Sequence, residues 1–413
     1  MPETSSAQLK KDYFWNTLGS LMNALSSALL LMFVTHCLGL YESGLFSLAY
    51  ALGQQFMIVG AFEMRPYQAT DVNKRFSFGT YLGSRFFTCG VMLVSLVAYA
   101  IFSNGLSTDA LAIILVAGLK VFDAFEDVFH GMFQQNGRLD IGGKAFFFRS
   151  LVTTVSFAAA LFVSRDLLVA SIVSAVCSFA VLLPLDIKPA VSFESLGPDW
   201  HVKPIARLLV TCMPLFVASF LLTDLANVPK FGIESWLGKE EQTIYAVLYM
   251  PALVINMLVG FVFKPLLTSL ASYWTSGKKR EFATSILKGV AAIGAVTVLA
   301  FLVAWPLGTP VLSLLYGIDI GPYRGELMVL LLGGSLNALT VVLYYGLITM
   351  RIQRLVVVGY ACAAAFAHLS AATFIGTFQI MGAVMLYDVT MGLLALFFVC
   401  FSIYGWKSSK SAK

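Results

Sequence analysis

The sequence predicts an all-α polytopic membrane protein in which twelve transmembrane helices form two six-helix lobes. Three observations support this class: the composition, a series of twelve apolar segments, and a one-sided distribution of basic residues. Hydrophobic residues make up 59% of the 413-residue chain and charged residues only 12%, against about a quarter charged in a soluble domain. Such a composition leaves no water-facing surface for a soluble enzyme or a nucleic-acid-binding protein, and it excludes a disordered chain.

The twelve apolar segments are each long enough to cross a bilayer, because a spanning helix needs about 20 apolar residues. They cover residues 14–37, 44–64, 80–103, 108–134, 141–164, 167–187, 205–228, 242–264, 282–306, 322–348, 353–376 and 380–405. A further apolar stretch, 308–321, is predicted to form a short interfacial helix before the tenth span.

The basic residues predict the orientation, because cytoplasmic loops of membrane proteins carry an excess of lysine and arginine. With a cytoplasmic N-terminus, 21 of the 27 lysines and arginines lie in inner loops or at inner helix ends. Four lie on the outer side: Arg165, Lys230, Lys239 and Arg324. Lys120 and Lys264 fall within or at the end of a span. We therefore expect a multi-pass protein of the cytoplasmic membrane with both termini in the cytoplasm.

A proline-bearing loop at the midpoint of the chain predicts the domain organisation. The loop 186–204 is polar and contains three prolines. We expect an N-terminal lobe at 1–187, a cytoplasmic connector at 188–204 and a C-terminal lobe at 205–413.

An internal repeat supports two related lobes. A shift of 199 residues places Leu38-Gly39 on Leu237-Gly238, Tyr50 on Tyr249, and Arg65-Pro66 on Lys264-Pro265. Six spans per lobe keep both copies in the same orientation. This is the arrangement of parallel repeats, which are related by a pseudo-two-fold axis along the membrane normal and leave a central cavity between them.

The fourth span carries several ionisable residues on one helical face. Lys120, Asp123, Asp127, His130 and Gln134 follow helical spacing, and Glu126 lies one step off this stripe. Each charge near the bilayer centre costs about 2.5–3.5 kcal/mol, so the face must look into protein or water. Two interpretations remain open. The residues either pair along the helix as a structural network, Lys120 with Asp123 and Asp127 with His130, or form a polar wall in which Asp123, Glu126, Asp127 and His130 are candidates for ion coupling.

Polar residues elsewhere in the spans are candidates for contact with a substrate. They are Asn16, Ser20, Asn23 and Ser27 in the first span, Tyr50 and Gln54 in the second, and Asp224, Asn227, Tyr245, Tyr249 and Asn256 in the seventh and eighth. Tyrosine and asparagine suit sugar hydroxyls because together they offer donors, acceptors and a stacking face. The alternative is that small polar side chains only join helices.

Arg65 and Lys264 are predicted to lie at the cytoplasmic mouth, each followed by a proline that marks a helix end. They are either ordinary positive-inside anchors or a two-sided basic clamp for phosphate.

Several stretches resemble the oligosaccharide flippase family (Wzx-like polysaccharide and teichoic acid flippases) of the multidrug/oligosaccharidyl-lipid/polysaccharide exporter superfamily. They are LGLYESGLFSLAYALGQQF, EMRPYQATD at 63–71, DAFEDVFHGMFQQNGRLDIGGKAFFFR at 123–149, the stretch 227–274, and YGIDIGPYRGEL at 316–327. The resemblance implies a twelve-helix, two-lobe transporter. Such a transporter moves a polyprenyl-pyrophosphate-linked oligosaccharide or teichoic acid precursor to the outer leaflet by alternating access. Cationic side chains in its cavity would receive the pyrophosphate.

Two other functions remain open. The acidic residues of the fourth span favour a cation-coupled multidrug exporter of the same fold. The short outer loops disfavour a membrane-embedded glycan polymerase. No catalytic motif or metal-ligand spacing is present, so we expect neither an enzyme nor a cofactor. The expected partners are the lipid-linked glycan, membrane lipids and a glycan polymerase or transferase, with no nucleic acid.

Overall fold

A computed structural model describes residues 6–71, 74–263 and 267–411. Across these ranges the regular secondary structure is helical and contains no strand. The helices are α1 (Ser6–Leu38), α2 (Leu40–Ala61), α3 (Met64–Thr70), α4 (Phe78–Asn104), α5 (Thr108–Gly118), α6 (Lys120–Gln135), α7 (Leu139–Ser164), α8 (Leu167–Leu182), α9 (Lys188–Ala190), α10 (Val202–Trp236), α11 (Lys239–Phe263), α12 (Leu267–Thr275), α13 (Lys279–Tyr316), α14 (Arg324–Thr349) and α15 (Gln353–Ser411). A π-helical turn, Leu183–Ile187, continues α8 into α9, and a 3-10 turn, Gly321–Tyr323, precedes α14.

The twelve predicted segments all appear as helices. Nine helical stretches of the described residues are long and apolar enough to cross a membrane. The other three predicted spans are α5 together with α6, α11, and the part of α15 that follows Gln379. Gln379 has φ 53° and ψ −130°, which are not helical values. It therefore separates two helices at the place where the sequence predicts a break.

Two local predictions are wrong. The stretch 308–321 does not begin a separate interfacial helix, because α13 continues to Tyr316 with Pro306 and Pro310 inside it. Prolines are tolerated in membrane helices when neighbouring groups satisfy the freed backbone. Pro66 does not mark a helix end either. The break comes earlier, at Phe62 and Glu63, which both have φ 49°. Pro66 instead lies in the first turn of α3, where its missing N–H costs nothing.

The described chain divides into two compact units, Met1–Phe220 and Leu221–Lys413, with the boundary inside α10. In the first unit, α1 and α7 pack closely through glycines. A Cβ built at Gly19 would lie 2.7 Å from the carbonyl oxygen of Gly143. Small residues at such a contact let two membrane helices approach along their backbones.

The internal repeat is visible in the local structure of each unit. The helices α2 and α11 begin at Leu40 and Lys239, which are 199 residues apart. The glycines that precede them, Gly39 and Gly238, both have positive φ values, 87° and 131°. Only glycine adopts such angles readily, so the two units enter this helix through the same kind of turn.

The connector is held against the start of α4. The amide of Asp199 donates to the carbonyl oxygen of Gly79 at 2.8 Å, and Thr80 Oγ1 donates to Asp199 Oδ2 at 3.2 Å. Hydrogen bonds from the backbone and side chain of His201 hold the pKa of Asp199 below its usual value. The carboxylate therefore stays charged and keeps its contact with α4.

Candidate functional site

Four charged side chains form a buried network between α6 and α7 in the first unit. Lys120 Nζ lies 2.7 Å from Asp123 Oδ2. Arg149 donates to Asp123 through Nη2, and its Nε and Nη2 also donate to the two carboxylate oxygens of Glu126 at 2.5 and 2.7 Å. We call Lys120, Asp123, Glu126 and Arg149 the four-charge network. Its two positive and two negative charges balance, so no ion of the network is left without an opposite charge, which offsets part of the cost of removing these ions from water.

A cavity of about 30 Å³ adjoins this network. It is lined by Asn23, Tyr50, Lys120, Asp123 and Arg149, together with hydroxyl and apolar side chains of α1, α2, α5 and α7. The ammonium group of Lys120 lies 4.7 Å from the centre of the Tyr50 ring, within the range of a cation–π interaction. The structure thus brings together four of the residues predicted from the sequence. The cavity is polar on one wall and large enough for a water molecule.

Asp127 belongs to a second group of charges. Its carboxylate lies 2.9 Å from Arg85 Nη2 and 3.4 Å from Arg65 Nη1. Arg85 is fully buried and also donates to the carbonyl oxygen of Gly60 at 2.8 Å. Arg65 has only long contacts, the second being 3.3 Å to Gln134 Oε1. Asp127 therefore has one firm partner, Arg85, and the side chain of Arg65 is held loosely.

His130 pairs with Asp186 and not with Asp127, so the predicted pairing along the helix holds only for Lys120 and Asp123. His130 Nε2 lies 3.0 Å from Asp186 Oδ1, and both residues are buried. Together with Glu126 they place ligand atoms within 4.8 Å of one another, a donor set that can hold a divalent metal. Both oxygens of Glu126 already accept hydrogen bonds from Arg149, and His130 is already paired with Asp186.

The second unit contains an aromatic cluster around the other tyrosine of the repeat. Tyr249 is buried, and its ring lies 5.1 Å from the ammonium group of Lys230. Its hydroxyl lies 3.3 Å from that of Tyr387, and Tyr245 stacks on its other side. Lys230 Nζ also donates to Asn227 Oδ1 at 3.2 Å. No described carboxylate lies within 4 Å of Lys230, so its charge is not neutralised as that of Lys120 is.

Other polar candidates of the second unit lie apart from this cluster. Asn256 donates to the carbonyl oxygen of Ala252 at 3.0 Å, a bond within its own helix. Asp224 pairs with His368 at 2.8 Å. Asp388 is buried against Gly333 and makes no ion pair with any described residue. Lys264, the predicted partner of Arg65, lies outside the described residues.

The remaining candidates of the first unit do not line the cavity. A Cβ built at Gly143 would lie 2.6 Å from the backbone nitrogen of Asn16, which places Asn16 at the contact of α1 with α7. Ser20 donates to the carbonyl oxygen of Asn16 and Ser27 to that of Ala24, both within α1. Gln54 is half-buried on α2, one turn beyond Tyr50.

Sequence reasoning missed several charged residues that the structure places in these groups. Arg85 and Arg149 are among the 21 basic residues assigned to the inner side, yet both side chains are buried within the protein. Lys230 counts toward the outer side but lies within α10. One signal was present: the part of the fourth span that forms α6 has three carboxylates and one lysine, so cations from neighbouring spans were needed to balance it.

No protein-family model matches the chain. One curated relative, the capsular polysaccharide biosynthesis protein CapF of Staphylococcus aureus, is 20% identical over 327 residues. The match covers 78% of this chain and 81% of the relative.

Solved structures of MATE transporters match nearly the whole chain. A multidrug resistance MATE family transporter of the MOP superfamily, in its inward-facing conformation, gives a TM-score of 0.64 at 12% identity, covering 98% of this chain and 96% of that one. The eukaryotic MATE transporter AtDTX14 gives 0.63 at 12% identity, covering 98% and 100%. A MOP superfamily transporter from Pyrococcus furiosus gives a TM-score of 0.58 at 13% identity, covering 97% of this chain and 95% of that one. The binding pocket of that transporter is described as having reverse polarity.

The chain therefore has the fold of the MATE transporters, which have twelve helices in two lobes, and the predicted fold class is confirmed. These neighbours are membrane transporters and not enzymes.

Proposed function

We propose that this protein is a flippase that moves a polyprenyl-pyrophosphate-linked oligosaccharide or teichoic acid precursor from the inner to the outer leaflet by alternating access. The fold of the solved neighbours supports a membrane transporter, and the relative named for capsular polysaccharide biosynthesis supports a glycan-related cargo. In this proposal the protein lies in the cytoplasmic membrane with both termini inside, its lobes are 1–187 and 205–413, and a glycan polymerase or transferase receives the product.

The observation that carries the proposal is the pair of lysines on the repeat-related tyrosines. Lys120 lies over Tyr50 in the first unit and Lys230 over Tyr249 in the second. An ammonium group buried without a carboxylate is costly, because desolvation is not repaid by an ion pair. Lys230 is half-buried on α10, and no described carboxylate lies within 4 Å of it. An anionic diphosphate would supply the missing countercharge, and Asn227 would add a polar contact beside it.

The earlier hypothesis of a clamp formed by Arg65 and Lys264 stays part of the proposal. The long contacts of Arg65 to Asp127 and Gln134 support it, since a weakly held guanidinium can turn toward a phosphate. Lys264 is included in the clamp only because the 199-residue repeat relates it to Arg65. In the proposal the sugar contacts come from Asn16, Asn23, Tyr50, Gln54, Tyr249 and Asn256.

Flipping of a fluorescent polyprenyl-pyrophosphate saccharide by purified protein in liposomes tests the proposal. Loss of one partner of a desolvated charged pair costs about 2–5 kcal/mol, so Lys230→Gln should lower headgroup affinity at least roughly tenfold. Lys203→Gln is the control, because Lys203 is exposed at the start of the same helix. Normal flipping by a correctly inserted Lys230→Gln protein would refute the role of Lys230.

The Arg65 clamp has its own control. Arg65→Ala should impair flipping, and a variant in which the arginine is moved to Thr70 should not restore it. If both transport like the wild type, Arg65 is only an anchor.

A cation-coupled exporter is the second candidate, and Asp388 is the observation that favours it. A carboxylate buried without an ion pair is a candidate proton or sodium carrier. Asp123, Glu126, Asp127 and His130 are further candidates, although all four now have partners. Export of ethidium that depends on a proton or sodium gradient, and that Asp388→Asn uncouples, would favour this function over lipid flipping.

A further inference from the structure

The second unit contains a large apolar cavity at one end of its helices, and no residue of the tyrosine cluster lines it. It has a volume of about 380 Å³ and lies between α13, α14 and the end of α15. Its walls include Ile286, Leu343, Val399 and Ile403, and Phe282 and Gly346 lie at its base. A cavity of this size falls in the range of pockets that accept a small ligand. Its lining offers almost no polar group, so a sugar or a phosphate does not fit inside it.

The cavity opens on the side that faces lipid. Leu287 and Ile403, which line it, are 66% and 52% exposed. In a bilayer these side chains contact hydrocarbon chains. The opening therefore admits a lipid chain from the side without any movement of the helices.

The rim of the cavity is aromatic and positively charged. Trp406 and Lys407 line its edge. Lys279 lies 5.9 Å from the ring of Trp406 and 5.6 Å from that of Trp274. Tryptophan and lysine in this arrangement are typical of the level of lipid headgroups, where the ring is anchored and the ammonium group meets phosphate.

The charge around this rim is predominantly positive. Exposed cations at the same helix ends add to it, and Glu281 is the single carboxylate in the segments 272–288, 346–358 and 402–411. The exposed cations are Lys278, Arg280, Arg351, Arg354 and Lys407. This is the end that the basic bias predicts to be cytoplasmic. Clusters of four or more basic residues beside a membrane attract anionic lipids.

We propose that this cavity is a binding site for one anionic phospholipid. One acyl chain occupies the apolar cavity, and the phosphate lies at the rim between Lys407 and Lys279. The site is separate from the proposed path of the glycan cargo, and it does not depend on that function. The apolar interior selects a chain and the basic rim selects a negative headgroup, so neither feature alone would make the site.

A photoactivatable lipid tests the site directly. The protein is placed in phosphatidylcholine vesicles that contain a small fraction of phosphatidylglycerol with a diazirine on its acyl chain. After illumination, mass spectrometry locates the lipid adducts. We expect adducts in 282–287 and 399–407, and we expect unlabelled phosphatidylglycerol, but not unlabelled phosphatidylcholine, to compete them away.

Two substitutions fill the cavity and have a matched control. A Cβ at Gly346 would meet Ile286 at 3.5 Å and Phe282 at 3.9 Å, ordinary contacts, so Gly346→Leu fits and fills the base. Gly294→Leu adds the same side chain at a position with nothing within 4 Å. Gly346→Leu should abolish the adducts and Gly294→Leu should keep them. Ala283→Phe fills the cavity from α13 and serves if Gly346→Leu fails to fold.

The headgroup is tested at Lys407. One lysine near the headgroups contributes enough that Lys407→Gln should lower labelling by phosphatidylglycerol about fivefold and leave labelling by a phosphatidylcholine probe unchanged. The proposal is overturned by any of three results: unchanged adducts in the filled variants, equal labelling by the two headgroups, or stronger competition by a polyprenyl phosphate than by phosphatidylglycerol. The last result would assign the cavity to the tail of the cargo.

Discussion

Replacing Arg149 by methionine should destabilise the protein more than any change at an exposed arginine. Arg149 is buried and supplies both hydrogen bonds to Glu126, whose side chain is only 1% exposed. Without Arg149, Glu126 remains as a buried and uncompensated charge. Breaking a buried ion pair in this way costs about 3–5 kcal/mol. That is a large part of the 5–15 kcal/mol by which a typical protein is stable.

The double variant Arg149→Met with Glu126→Leu should recover most of that loss. It removes one positive and one negative charge, and it leaves Lys120 and Asp123 paired at 2.7 Å. Replacing a buried ion pair by apolar side chains of similar volume is often neutral or stabilising. We expect a coupling energy on the order of 3 kcal/mol between the two substitutions.

Unfolding of the purified protein by SDS from mixed micelles, followed by tryptophan fluorescence, measures these free energies. Arg138→Met is the matched control, because Arg138 pairs with Asp140 at the start of the same helix but is 44% exposed. Surface ion pairs of this kind contribute about 0–1 kcal/mol. If Arg149→Met falls in that range, or if the double variant costs the sum of the single ones, the network does not act as a charge-balanced unit.

Four further predictions concern the topology, the connector (two of them) and the fourth helix. Tags should be accessible from outside at Asn104, Lys239 and Gly376, and only from inside at Lys74, Ser195 and Lys279; outside labelling at Ser195 would contradict the two-lobe topology. A Cβ at Gly83 would lie 2.1 Å from the carbonyl oxygen of Asp199, so Gly83→Ala should speed proteolysis of the connector, whereas Gly90→Ala, with open space around it, should not. The pKa of Asp199 is lowered in the folded state, so Asp199 stabilises the connector fully above its unfolded pKa of about 3.9. This stabilisation is lost as the pH falls through the lower, folded pKa. Protease protection of the connector that weakens between pH 7 and 5 would therefore not come from Asp199. A cysteine replacing Asp127 should react with soluble thiol reagents faster than one replacing Asp123, because the two side chains are 21% and 10% exposed, and equal reactivity would contradict this difference in access.

The apolar segments could be located from the sequence because hydrophobic length decides whether a helix spans a bilayer. The same reasoning placed the break near Gln379, where a short polar interval separates two long apolar runs. It failed at 308–321, since a glycine and two prolines end a helix in water but not among membrane helices. Local signals therefore give the number of spans better than the limits of each.

The ionic partners could be predicted only in part. Spacing correctly placed Lys120 beside Asp123 on one helix, because residues three apart are neighbours on a helix surface. Asp127 and His130 are equally close in sequence, yet each pairs with a residue of another element, Arg85 and Asp186. Which helices pack together is decided by the whole fold, and one sequence does not reveal it.

The repeat-related tyrosines show how the two kinds of information combine. A shift of 199 residues relates Tyr50 to Tyr249 without any structure, but it says nothing of the lysines. The structure supplies Lys120 from α6 in one unit and Lys230 from α10 in the other. The tyrosine position is thus repeated while the source of the cation is not. A structural cation–π contact inherited from a duplicated gene would keep both partners at related positions. The two lysines lie at unrelated positions of the repeat, and only Lys120 is neutralised by a carboxylate, so the feature common to both units is a cation beside this tyrosine. The anionic cargo of the proposed flippase would account for a cation at this tyrosine in each unit.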